Sequence, residues 1–188
     1  MKEFTSCFIG IPLPDEYREK FSDLLKCVST ANLDLEMVDE TTPHITVYYL
    51  DKQSEGNLEE VRKIVEENIQ FLKDENLVVG GMNTFGDDVP RVLFLPIHYP
   101  KSLSEFNKIL VFSLSKFMTE DSNLPFYPHM TVARFNSASQ ASWEITKSAI
   151  EPEMTKIKWQ FPITEVVIYG ADSSETPEHY EKLVSIQV

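Results

Sequence analysis

Apolar and polar positions divide the chain into short elements. Residues 4–11 form an apolar-rich run stopped by Pro12 and Pro14, which predicts a strand. Beyond it, Tyr17, Phe21, Leu24, Leu25 and Val28 recur at helical spacing, and Asp15 and Glu16 suit a helix N-terminus. Residues 44–50 alternate, with Ile45 and Val47 on one face and His44 and Thr46 on the other. A second amphipathic helix is predicted from Asn57, with Glu60 three residues on and Leu58, Val61, Ile64, Val65 and Leu72 as its apolar face. Residues 76–82 and 91–97 read as strands joined by the turn-rich NTFGDDVP, a hairpin. A third helix over 102–118 aligns Leu103, Phe106, Leu110, Leu114 and Phe117. Residues 130–135 predict a strand, 139–150 a helix with Ser139 as its cap, and 156–161, 165–169 and 183–188 three closing strands.

The order is β-α-β-α-β-β-α-β-α-β-β-β. No glycine-rich turn joins a strand to a helix, which disfavours a dinucleotide-binding fold. The pattern predicts an α+β protein with antiparallel or mixed sheets. No linker separates independent units, so residues 1–188 are expected to form a single domain. Within it, a helix followed by a strand carrying His-x-Thr occurs twice.

Composition narrows the classes. With 188 residues, 42% hydrophobic and 11% aromatic, the chain can bury a core. No apolar run approaches the roughly 20 residues that span a bilayer, so no membrane association is expected. The start, MKEFTSCFIGIPLPDE, reads as a strand rather than a leader. Cys7 and Cys27 form no Cys-x-x-Cys pair and read as free thiols of a cytoplasmic protein. A net charge of -13 argues against long nucleic acid as a partner. A small phosphate site remains compatible with it, because a few focused donors can win locally.

The chemistry concentrates in two pentapeptides. Pro43-His44-Ile45-Thr46-Val47 and Pro128-His129-Met130-Thr131-Val132 share proline, histidine, threonine and valine at equal offsets, in a chain with only 4 histidines. Positions i and i+2 of a strand share a face, about 6.6 Å apart. Each motif therefore sets an imidazole beside a hydroxyl. If the two strands meet, two imidazoles and two hydroxyls converge. That set suits a phosphodiester: hydroxyls donate to non-bridging oxygens, one neutral histidine takes a proton and one protonated histidine gives one. This scheme needs no metal or other cofactor, and no Asp/Glu/His cluster stands out to hold a metal.

Paired His-x-Thr motifs with hydrophobic flanks resemble the signature of the 2H phosphoesterase superfamily. FIGIPLPDEYREKF is similar to that family's opening strand and helix, FGDDVPRVLFLPI to its central hairpin, and EVVIYGADSSETPEHYEKLVSIQV to its closing strands. The nearest likeness is to the bacterial and archaeal RNA 2',3'-cyclic phosphodiesterase, or 2'-5' RNA ligase, branch. The resemblance implies a bilobal fold of two pseudo-symmetric lobes around a central groove, each contributing one His-x-Thr strand. It also implies metal-independent cleavage of 2',3'-cyclic or 2',5'-linked phosphodiesters. On it, His44 and His129 are the acid–base pair, in an order set by the substrate's direction, and Thr46 and Thr131 hold the phosphate. The acidic chain points to a small nucleotide or short RNA substrate, and a monomer is expected.

Neighbouring residues are weighed against that site. Arg134 lies three residues past Thr131 and would face away in a regular strand, reaching a phosphate only where the strand ends or bulges. Tyr48 continues the 44, 46 face and could stack on a base. Phe126 and Tyr127 read as packing, and His98 and His179 as loop or terminal residues. Asp87 and Asp88 read as solvated charge. Two other readings stay open: a 2'-5' RNA ligase running the same site in reverse, and a non-catalytic binder of phosphorylated ligands.

Overall fold

The computed structural model describes residues 3–31, 34–86, 89–117, 125–137, 139–172 and 179–188. Strand β1 (Glu3–Pro12) leads through Pro14 into helix α1 (Asp15–Ser29). A three-residue strand, β2 (Leu35–Met37), precedes β3 (His44–Ser54) and α2 (Glu55–Asn68), which ends in a 3-10 turn (Ile69–Leu72). Next come β4 (Asn76–Gly80), β5 (Asn83–Phe85) and β6 (Val92–His98), then α3 (Lys101–Leu114) with a 3-10 turn at Ser115–Phe117. The remainder is β7 (His129–Phe135), α4 (Gln140–Met154), β8 (Lys158–Pro162), β9 (Glu165–Asp172) and β10 (Tyr180–Gln187).

Two antiparallel sheets result, in the orders β10-β9-β1-β3 and β2-β7-β6-β4-β8, with β5 pairing to β6. The protein is α+β. Helices α1 and α4 lie together, as do α2 and α3. One contiguous apolar core runs from Phe21 and Leu24 of α1, through Ile9, Ile45 and Met130 on the sheets, to Phe106 and Leu110 of α3. No described helix is long and apolar enough to cross a membrane.

Several elements depart from expectation. Strands β2 and β5 are too short to show a two-residue period, and each forms as a partner of a longer strand. The β5–β6 turn depends on Gly86: its φ is +112°, and a Cβ there would stand 2.3 Å from the Val89 carbonyl oxygen. The second helix begins before Asn57. Its cap is Ser54, whose hydroxyl accepts the Asn57 N–H at 3.4 Å, because β3 runs directly into the helix. Ser139 does cap α4, in a reciprocal pair with Ser142. Met118, Asp87 and Asp88 lie outside the described residues.

The two halves repeat a unit. In β1-α1-β3-α2 and in β6-α3-β7-α4, the two strands pair antiparallel and the second carries Pro-His-x-Thr. The motif strands are not paired with each other. They belong to different sheets and face across a groove between the lobes.

Candidate active site

A cavity of about 340 Å³ opens between the lobes, at the lower end of the range typical of small-ligand sites. His44, Thr46, His129, Thr131 and Arg134 all line it. The strand period explains the two His/Thr pairs: Ile45, Val47, Met130 and Val132 are buried behind them.

Each imidazole is oriented by its own motif. The His44 Nδ1 lies 2.7 Å from the Thr42 carbonyl oxygen, and the His129 Nδ1 lies 2.8 Å from the Tyr127 carbonyl oxygen. A carbonyl can only accept, so both Nδ1 atoms carry the proton and donate it. Among the described residues, no protein group bonds Nε2 of either ring. Nε2 is thus the nitrogen left for a ligand.

Aromatic rings back both histidines. Phe8 lies 4.3 Å from His44 between centroids, with Tyr169 at 5.2 Å. Phe85 meets His129 edge-on at 4.8 Å, with Phe94 at 5.0 Å. Burial against these walls pushes His44 down to about 4, outweighing the opposing pull of the Thr42 carbonyl, with smaller lowering contributions from His129 and Arg134. Burial, helped by Arg134, lowers His129 as well. Both imidazoles are neutral in the free protein near pH 7.

A bulge follows each threonine. On β3, Ile9 faces Tyr48 while Gly10 faces Thr46, which makes Val47 an inserted residue. On β7, Leu93 faces Ala133 while Phe94 faces Thr131, which inserts Val132. A bulge resets the alternation beyond it. Arg134 therefore lines the cavity although a regular strand would turn it away. The same shift corrects the expectation for Tyr48, which packs against the core, while Tyr49 lines the cavity. Tyr49 and Arg134 occupy matching positions, three residues after their threonines.

Comparison with known proteins agrees with this architecture. The sequence pattern of the 2'-5' RNA ligase superfamily matches residues 14–175. The chain belongs to the 2'-5' RNA ligase superfamily. It is similar to the RNA 2',3'-cyclic phosphodiesterase of Geobacillus stearothermophilus, 23% identical over 181 residues, 92% of this chain and 54% of that protein. It is also similar to the RNA 2',3'-cyclic phosphodiesterase of Methanothermobacter thermautotrophicus, 21% identical over 128 residues, 68% of this chain and 69% of that protein. The chain thus spans about half the length of the first relative and about two thirds of the second. The crystal structure of E. coli LigT complexed with 3'-AMP superposes with a TM-score of 0.74 at 17% identity, covering 98% of both chains, which establishes the shared fold.

For this member of the 2'-5' RNA ligase superfamily, the cavity rim holds residues that carry no motif. Glu36 on β2, Asp39 in the following loop, Phe8 on β1 and Tyr180 on β10 all line the cavity. The Asp39 Oδ1 accepts the Thr41 N–H at 2.8 Å and the Thr41 hydroxyl at 2.7 Å. Its Oδ2 lies 2.6 Å from Nδ1 of His179, which ties the start of β10 to the loop before His44. Arg18 of α1 holds the same loop by donating to the Thr41 carbonyl at 2.7 Å. His98 is exposed at the end of β6, away from the site. Sequence reading missed Tyr49, Glu36 and Asp39, because strand pairing brings the first two to the groove and the loop after β2 brings Asp39 there.

Proposed function

We propose that the chain is a phosphodiesterase that hydrolyses small nucleoside 2',3'-cyclic phosphates or short 2',5'-linked oligonucleotides. The observation that carries this reading is the pair of imidazoles on one cavity, each with Nδ1 committed to the backbone and Nε2 unbonded. A phosphodiester anion entering the cavity favours the protonated form of the imidazole beside it. One ring then starts neutral and the other charged. The neutral Nε2 takes a proton from water, the water oxygen attacks phosphorus, and the phosphorus–ribose oxygen bond breaks. The protonated ring gives its proton to the departing ribose oxygen. The lobes present near-equivalent motifs, so the direction of the substrate decides which histidine plays which part.

The hydroxyls of Thr46 and Thr131 and the guanidinium of Arg134 line the same cavity and can donate to the non-bridging oxygens of a phosphodiester held there; donors fixed in advance are usually the largest contribution a protein makes to such a displacement. Tyr49 offers a ring face for a nucleobase, and base stacking is tolerant of sequence. Cavity size and net acidity together favour a short ligand.

The test is turnover of 2',3'-cyclic nucleotides and 2',5'-oligoadenylates in excess chelator, for the wild type, His44→Ala and His129→Ala. Loss in both variants supports the reading. Full activity in both would overturn it.

A further inference from the structure

Glu36 and Arg134 are direct partners where β2 pairs with β7, and both line the cavity. Opposed residues of antiparallel strands share a face, so a carboxylate and a guanidinium are delivered to the same wall. Among the described residues, neither makes an ion pair or a side-chain hydrogen bond with protein. The other lining carboxylate, Asp39, is committed to Thr41 and His179. Glu36 is therefore an uncommitted negative charge in a cavity that, on the reading above, receives an anion.

As a mere solvated charge guarding the edge strand β2, Glu36 would have no effect on ligand choice. Its register opposite Arg134 gives it one. A phosphodiester carries a single negative charge, whereas a phosphomonoester carries about 1.5 to 2 at pH 7. Among the described residues, the lining supplies one fixed cation, Arg134, and at most the proton of an imidazole. A single phosphate charge is matched by that complement. A second phosphate, or a dianionic product, meets Glu36.

We propose that Glu36 is a specificity-determining residue that disfavours a second phosphate charge inside the cavity, beside the phosphodiester that Arg134 faces. This rests on the phosphodiesterase reading for its substrate, but not for its physics. Glu36 discriminates against nucleotides bearing an additional phosphate and weakens retention of the phosphomonoester product. The expected discrimination is roughly five- to tenfold, the size of one like-charge repulsion across a partly solvated cleft.

The experiment compares wild type with Glu36→Gln on a nucleoside 2',3'-cyclic phosphate and on the same compound with a 5'-phosphate. The ratio of kcat/KM values, 5'-phosphorylated over unphosphorylated compound, is expected to rise about five- to tenfold in the variant and to lose most of that rise at high salt. A ratio unchanged within about twofold would overturn the proposal. Binding of a nucleoside 3'-phosphate and a nucleoside 3',5'-bisphosphate, followed by calorimetry, repeats the contrast without chemistry. Discrimination that depends on Glu36 in a protein with no turnover would sink the hydrolase reading and keep this one. Turnover with discrimination indifferent to Glu36 would do the reverse.

Discussion

The side-chain amide of Asn107, buried on α3, donates to the backbone carbonyl of Val47 at 2.8 Å. Val47 is the residue inserted at the β3 bulge. The other lobe reaches the same end differently: the carbonyl of Val132, inserted at the β7 bulge, accepts the Val38 N–H at 3.2 Å. Each bulge is thus satisfied from outside its own strand pair. Asn107→Leu leaves the Val47 carbonyl buried without its partner, and about 1–3 kcal/mol of stability should be lost. Because Tyr49 takes its direction from that bulge, the variant should also raise KM. Chemical denaturation and steady-state kinetics check the two effects; an unaltered midpoint would rule out a structural role for the bond.

Replacing either motif histidine tests the acid–base assignment. His44→Ala and His129→Ala are each expected to lower kcat about 100- to 10,000-fold on a 2',3'-cyclic nucleotide, the usual worth of a positioned proton donor or acceptor. Circular dichroism should be unchanged, since both rings face the cavity rather than the apolar core.

The pH behaviour of His44 follows from its burial. Its native value is lowered to about 4, against about 6.5 for an unfolded histidine. Between those values the unfolded chain holds a proton that the native protein lacks. Stability from this group is complete above about 6.5 and is lost as pH falls through about 4. Proton NMR should place the His44 inflection well below that of a free histidine, and His44→Ala should flatten the loss of stability over the same window. An inflection above that of free histidine would contradict the buried, neutral ring.

Tyr48 and Tyr49 should separate cleanly. Tyr49→Ala removes a ring from the cavity and is expected to raise KM about tenfold or more, given roughly 1–3 kcal/mol per stacked base. Tyr48→Ala removes packing instead, so it should lower the melting temperature and leave KM close to wild type. If Tyr48→Ala raised KM as much as Tyr49→Ala, the bulge would not redirect these side chains in solution.

The contrast between these tyrosines also marks where sequence stops being readable. His44, Thr46, His129 and Thr131 were legible because two-residue alternation is local and the motif repeats. The bulges were not, since Val47 and Val132 look like ordinary strand residues until Gly10 and Phe94 fix the register across from them. Arg134 could be named but not aimed for the same reason. The main strands and four helices followed from periodicity, with their ends off by a few residues, as when β3 ran on to Ser54 and moved the cap of α2. Glu36 lay in a segment with no readable period, and Asp39 meets His179 only through the tertiary fold.

The hydrogen bond from each imidazole to a carbonyl two residues back, across a proline, makes the orientation of the ring self-contained. In many hydrolases a buried carboxylate, distant in sequence, sets the imidazole's tautomer; here five consecutive residues carry both the reactive group and its orienting partner. Such a unit is portable. It asks of its host a strand end beside a cleft, and a second such strand across the cleft turns one oriented ring into a matched pair.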